Sequence, residues 1–175
     1  MPNLNAPAPP LSLPGVERGV ERRWTLADLR GHWVVLFFYP ADFTFVCPTE
    51  VVGFHRRLKD FADCDARVLG ISNDDVAMHR AWAEELGGID FPLLSDADGA
   101  VARAYGVLNE ADGRAFRATV IVSPAGLIAY VVVSPMNVGR SVEETLRVLR
   151  ALRTERLCPA DWKPGEPTLE PGGRY

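Results

Sequence analysis

The sequence predicts an α/β protein with a mixed central sheet flanked by helices. Three observations carry that expectation. Apolar runs of strand length alternate with stretches whose apolar residues recur every three or four positions, one tight turn joins two later runs, and the proline-rich stretches are confined to the two ends. At 175 residues the chain suits one domain with a single sizeable core.

Val34-Val35-Leu36-Phe37-Phe38-Tyr39 is continuously apolar and aromatic-rich, as a strand buried on both faces must be. Val51, Phe54, Leu58 and Phe61 follow at helical spacing and give one helix face. Arg67 to Ser72 reads as a second strand, and Met78, Ala81, Trp82 and Leu86 mark a second amphipathic helix. Ala118 to Ser123 and Leu127 to Val133 are strand-like, with Pro124-Ala125-Gly126 as the turn between them. The last helix starts at Ser141. Glu144 three residues on completes a capping box, and Val142, Leu146, Leu149 and Leu152 continue the periodicity. The early crossovers imply parallel strands and the tight turn an antiparallel pair, so a thioredoxin-like arrangement fits best. Ala6 to Pro14 and Pro159 to Gly173, each with four prolines, read as extended or mobile ends. The expected division is a domain over residues 1–155 and a C-terminal tail over 156–175.

The apolar and charged fractions, 47% and 24%, are those of a globular protein, and a net charge of −4 without a basic block excludes a nucleic-acid partner. The start of the chain has no basic stretch followed by an apolar one, and the longest apolar run is too short to cross a bilayer. A cytoplasmic location is the expectation, with no membrane partner. Three cysteines, Cys47, Cys64 and Cys158, do not suit a secreted disulfide framework. His32, His55 and His79 show no metal-ligand spacing, and no nucleotide, flavin or haem motif occurs, so neither metal nor cofactor is expected.

The informative stretch runs from Phe38 to Glu50. A buried strand ends at Tyr39 and a helix begins near Cys47, a boundary that Pro48 supports because proline is tolerated in a first turn. The unpaired N–H groups and positive dipole end at such a start favour a thiolate, the nucleophilic form. Thr44 stands three residues earlier, with a hydroxyl able to donate to the sulfur or to a bound oxygen, and Pro40 can cover the site without adding a donor. A dithiol site needs Cys-x-x-Cys, but the fourth position is Glu50. Spacing alone leaves open whether Cys47 is a nucleophile or an inert small residue.

Pro40-x-x-x-Thr44-x-x-Cys47 resembles the active-site signature of the peroxiredoxins. The longer string through Phe43-Thr44-Phe45-Val46-Cys47-Pro48-Thr49-Glu50 resembles the typical 2-Cys group, which includes alkyl hydroperoxide reductase C subunits and thioredoxin peroxidases. Ser72-x-Asp74 with His79-x-Ala81-Trp82, Arg117 to Val122, Val138 to Arg147, and Cys158 to Gly165 are similar to further blocks of that group, in the same order. The resemblance spans about residues 24 to 168.

The resemblance implies a thiol-dependent peroxidase for hydrogen peroxide and small organic hydroperoxides. Cys47 is then the peroxidatic cysteine. Thr44 bonds thiolate and peroxide, Pro40 shields the sulfur, Arg117 is its cationic partner and Glu50 orients Arg117. Cys47 becomes a sulfenic acid, which Cys158 of a partner subunit resolves as a disulfide. A thioredoxin-like or dedicated disulfide reductase recycles it. The same resemblance implies a homodimer and, in many members, a decamer of five dimers. Cys64, between Asp63 and Asp65, reads as structural. Eukaryotic members often carry a Gly-Gly-Leu-Gly insertion and a C-terminal Tyr-Phe helix that favour over-oxidation. Here Leu86-Gly87-Gly88-Ile89 lacks the first and the end, Pro171 to Tyr175, lacks the second, so a form resistant to over-oxidation is expected. A holdase chaperone and a peroxide sensor are the competing functions, both using Cys47.

Overall fold

The computed structural model describes residues 3–172. Gly173 to Tyr175, on which part of the over-oxidation expectation rests, lie outside them. The elements are β1 Ser12–Glu17, β2 Val20–Thr25, β3 Trp33–Phe38, α1 Cys47–Arg56, α2 Leu58–Asp63, β4 Ala66–Ser72, α3 Val76–Glu85, β5 Leu93–Ser95, α4 Ala100–Ala104, β6 Leu108–Asn109, β7 Arg114–Ala115, β8 Arg117–Val122, β9 Ile128–Ser134 and α5 Val142–Thr154. A seven-stranded sheet runs β2-β1-β5-β4-β3-β8-β9, and β6 and β7 form a separate hairpin. β3, β4 and β5 are parallel, as their helical crossovers require, while β8 and β9 are antiparallel to their neighbours. The mixed α/β, thioredoxin-like architecture is the one expected.

The apolar run of β3 sits at the sheet's centre, and its side chains alternate between two cores. Leu36 and Phe38 join Leu69, Ile71, Trp24 and Tyr105 on one face. Val35 and Phe37 join Phe54, Phe61, Trp82 and Leu149 on the other, where Phe37 stacks on Phe54 at 4.5 Å between centroids. Gly70 of β4 is small because Phe37 lies over it: a Cβ there would come within 2.8 Å of that ring.

Three expectations are corrected. The helix face from Val51 to Phe61 is carried by two helices, broken at Arg57, whose φ of −102° and ψ of 9° end one and start the next. Met78, at 43%, and Ala81 are exposed, so the buried face of α3 is carried by Trp82, as expected, together with His79. The proline-rich start is no loose end, because Ser12–Glu17 is a strand in the main sheet. Pro14 sits where β1 pairs only with β2, Gly15 and Val16 also reaching β5. The cap at Ser141 forms, its hydroxyl accepting from the Glu144 N–H at 3.0 Å, but the Glu144 carboxylate turns to Arg147, and among the described residues the reciprocal half of the box does not form. No helix among the described residues is long and apolar enough to cross a membrane.

Candidate active site

The site forms where β3 ends and α1 begins. Cys47 is the first residue of α1 and is fully buried, with Pro48 behind it and no side chain capping the helix start at Val46. The positive end of the helix is therefore not neutralised by a cap. Antiparallel pairing of β3 with β8 aligns Phe38 with Ala118, which sets Arg117, the first residue of β8, beside Cys47. Sequence separation of 70 residues thus closes to 3.3 Å between Arg117 Nη1 and Cys47 Sγ.

Arg117 is itself held. Its Nε donates to the Met136 carbonyl at 2.7 Å and its Nη1 to Glu50 Oε2 at 2.7 Å. Glu50 lies one turn beyond Cys47 on α1 and is nearly inaccessible. Its Oε1 accepts from the backbone N–H and the Nε of Arg140 at 2.8 and 2.9 Å, and its Oε2 accepts from Arg140 Nη2 at 3.0 Å. Arg140 Nη1 also donates to the carbonyls of Phe38 and Ala118, at the matching ends of β3 and β8. Burial alone pushes the Glu50 carboxyl up, but the bonds and charge of Arg140, with the charge of Arg117, outweigh it and hold Glu50 below its ordinary value. Burial opposes the charge on Arg117, yet the Cys47 sulfur and Glu50 prevail and raise it.

The loop between β3 and α1 has its own anchor. Tyr39 donates to Asp42 Oδ1 at 2.8 Å, the other Asp42 oxygen lies 2.7 Å from His79 Nδ1, and the Asp42 N–H donates to Asp74 at 2.8 Å. Burial raises the Asp42 carboxyl above its ordinary value, with His79 opposing. Phe43 occupies the left-handed region at φ 52°, and Phe45 is 98% exposed.

Cys47, Arg117 and Glu50 are thus brought together, with buried Pro40 in the adjoining loop. The Thr44 hydroxyl donates to the Ala41 carbonyl at 3.1 Å rather than to the sulfur. Cys158 stands apart: it follows α5, its Sγ lies 3.5 Å from Thr154 Oγ1, and it is a free thiol like Cys47. Cys64 is buried among core residues. Arg140 and Asp42 are the site residues that sequence reasoning did not single out. Arg140 carried one signal, its place between Gly139 and the cap Ser141, where a charge has no helical reason to stand. No cluster of three or more His, Cys, Asp or Glu fit to hold a metal occurs among the described residues.

A single cysteine at an uncapped helix start, with a guanidinium on its sulfur and no second cysteine in the turn, is a setting that favours a nucleophilic thiolate, here on a thioredoxin-like fold. Residues 4–131 match the family model described as the AhpC/TSA family. The chain is 47% identical over 153 residues to alkyl hydroperoxide reductase C of Mycolicibacterium smegmatis, covering 86% of this chain and 78% of that one. It is 41% identical over 178 residues to thioredoxin peroxidase of Trypanosoma brucei rhodesiense, covering 95% and 89%. Among solved structures, the reduced 2-Cys peroxiredoxin of Plasmodium vivax superposes with a TM-score of 0.92 at 31% identity, covering 97% of this chain and 93% of that one. The chain belongs to the AhpC/TSA family and is a peroxiredoxin, an antioxidant peroxidase among the oxidoreductases.

Proposed function

We propose that the chain reduces hydrogen peroxide and small organic hydroperoxides through Cys47, and that the observation carrying this reading is the 3.3 Å contact between Arg117 and the Cys47 sulfur. A guanidinium is always charged and offers fixed donors, so it stabilises the attacking thiolate and the oxygen that accepts the leaving electron pair. The thiolate attacks one peroxide oxygen, a sulfur–oxygen bond forms, the O–O bond breaks and the departing oxygen takes a proton to leave as water or alcohol. Cys47 is left as a sulfenic acid, oxidised by two electrons. Thr44 and Pro40 complete the pocket, the hydroxyl turning from Ala41 to the peroxide when one binds.

The sulfenic acid condenses with Cys158 of a second chain, releasing water. On this reading residues 1–155 form the domain and 156–175 the tail that carries Cys158, whose sulfur lies beside Thr154 and Ala151 of its own chain. β9 ends the sheet; Ile128 at its start pairs with Asn5 and Ala6, and beyond it the outer edge has no strand partner among the described residues, a surface suited to a homodimer. Decamers of five such dimers extend the same reading. A thioredoxin-like or dedicated disulfide reductase then returns both cysteines to thiols in the cytoplasm. The test is a non-reducing gel after one equivalent of peroxide. Wild type shifts to a disulfide-linked dimer, and Cys47→Ser and Cys158→Ser each fail to form the Cys47–Cys158 link. Undiminished peroxide consumption by Cys47→Ser would overturn the reading.

A further inference from the structure

At the opposite end of the sheet from Cys47, β4 has an uncovered edge. The Asp65 carbonyl accepts from Trp33 and the Ile71 carbonyl from Tyr39, so the odd-numbered backbone groups along this strand face β3. The even-numbered groups face the other way. Gly70 uses that side, donating to the Pro92 carbonyl at 3.0 Å, and the pairing with β5 runs from Gly70 to Ser72 only. The ladder stops there for a chemical reason. The next bond would need an N–H from residue 92 to the Val68 carbonyl, and Pro92 has none. Pro92 thereby leaves the Val68 carbonyl without a donor, and because β5 does not extend further, the Val68 N–H and the Ala66 N–H and C=O also have no backbone or side-chain partner among the described residues. Both residues are nearly inaccessible, at 3% and 5%, and unpaired groups at such depth are costly.

Ala66, Arg67 and Val68 line a cleft of about 730 Å³, together with Trp24, Leu29, Leu58, Ala62, Phe91 and Pro92. The basic side chains around it are paired with one exception. Arg18 meets Asp90, Arg22 meets Glu17 and His32 meets Asp65, while Asp28 is engaged by the Thr25 hydroxyl. Arg67, between the two unpaired backbone positions, is exposed and has no acidic partner among the described residues.

We propose that this cleft is a second binding site, one that takes an extended peptide bearing an acidic side chain. The peptide adds as a strand to the β4 edge through the backbone of Ala66 and Val68, and Arg67 receives its carboxylate. Ladder groups two residues apart are the spacing an extended backbone supplies, which favours a peptide over a compact ligand. The site is independent of Cys47 chemistry, so its failure would leave the peroxidase reading untouched.

The probe is a capped pentapeptide alternating valine and glutamate, titrated into the full-length reduced protein by calorimetry, with amide exchange of Val68 followed by NMR. Saturable binding that slows exchange of the Val68 N–H is expected. Methylating alternate peptide nitrogens removes the ladder donors and keeps the side chains, and is expected to weaken binding about tenfold. Arg67→Glu is expected to weaken it by a similar factor with peroxide consumption unchanged. Absence of binding, equal binding of the methylated peptide, or binding with no effect at Val68 would each overturn the proposal. Self-association lost on Arg67→Glu, with no peptide bound, would assign the edge to a second copy of the chain and overturn it too.

Discussion

Replacing Glu50 by glutamine changes one atom and removes the charge that two buried guanidinium groups share. The carboxylate accepts four hydrogen bonds, from Arg117 Nη1 and from the N–H, Nε and Nη2 of Arg140. Glutamine keeps one carbonyl, enough for two of the donors at Oε1, and turns an amide N–H₂ towards the other two. Arg117 and Arg140 side chains are 5% and 2% exposed, so water does not replace the lost charge. Breaking a buried pair from one side costs about 3–5 kcal/mol. For a chain of this size each kcal/mol moves Tm by about 2–4 °C, so Glu50→Gln is expected to melt about 6–20 °C below wild type. Arg150→Ala removes the Asp60 partner at 31% and 36% exposure and serves as the control, with a loss under about 1 kcal/mol. Urea unfolding measures both. Because Glu50 also holds the group that touches the sulfur, kcat/KM for peroxide is expected to fall at least about tenfold, about 1.4 kcal/mol. A Glu50→Gln loss no larger than that of Arg150→Ala would refute the claim that this carboxylate holds the site together.

The same residue sets an acid dependence: its carboxyl lies below the ordinary 4.5 in the folded state, so its contribution is complete above that value and is lost as pH falls through the folded one. Urea midpoints between neutral pH and pH 3 are expected to fall more steeply for wild type than for Glu50→Gln, and parallel curves would contradict the assignment. Thr44→Val removes a half-buried hydroxyl bonded to one carbonyl, so stability is expected to drop only about 0.5–1.5 kcal/mol while peroxide turnover drops further, and Thr44→Ser restores it. A turnover loss no greater than the stability loss would remove Thr44 from the chemistry. Gly70→Ala forces a methyl within 2.8 Å of Phe37 and 2.9 Å of Leu93, and is expected to cost about 1–3 kcal/mol in urea unfolding.

What the sequence makes legible follows from how local each signal is. The β3 run, the turn at Pro124 to Gly126 and the cap at Ser141 are each decided by a few adjacent residues; the first two form as expected and the third forms through its serine half. β5 has three residues, too few to show a period, and three of the six residues of β2 are charged because only Trp24 is buried in the core. The break at Arg57 is invisible to periodicity because Val51, Phe54 and Phe61 stay buried on either side of it. At the site, Cys47 and its helix start are local features. The link from Glu50 to Arg140 spans 90 residues and exists only because strand pairing brings the ends of β3 and β8 together.

That link also sets a tether length. The arginines are fixed to strand ends and to backbone carbonyls, whereas Cys47 sits on the first turn of a helix whose fourth residue, Glu50, they grip. A helix start that loosens without breaking that grip frees Cys47, Pro48 and Thr49 and nothing beyond. Three extended residues reach about 10 Å. An oxidised Cys47 therefore stays within that distance of Glu50, and any remaining gap to a second sulfur must be closed by the other partner. In this chain the tail carrying Cys158 is pinned by the Leu157–Leu169 bridge and by Trp162, whose carbonyl accepts from Arg147. For the disulfide proposed between Cys47 and Cys158 of a second chain, whatever span the first turn of α1 cannot supply must come from loosening these tail contacts.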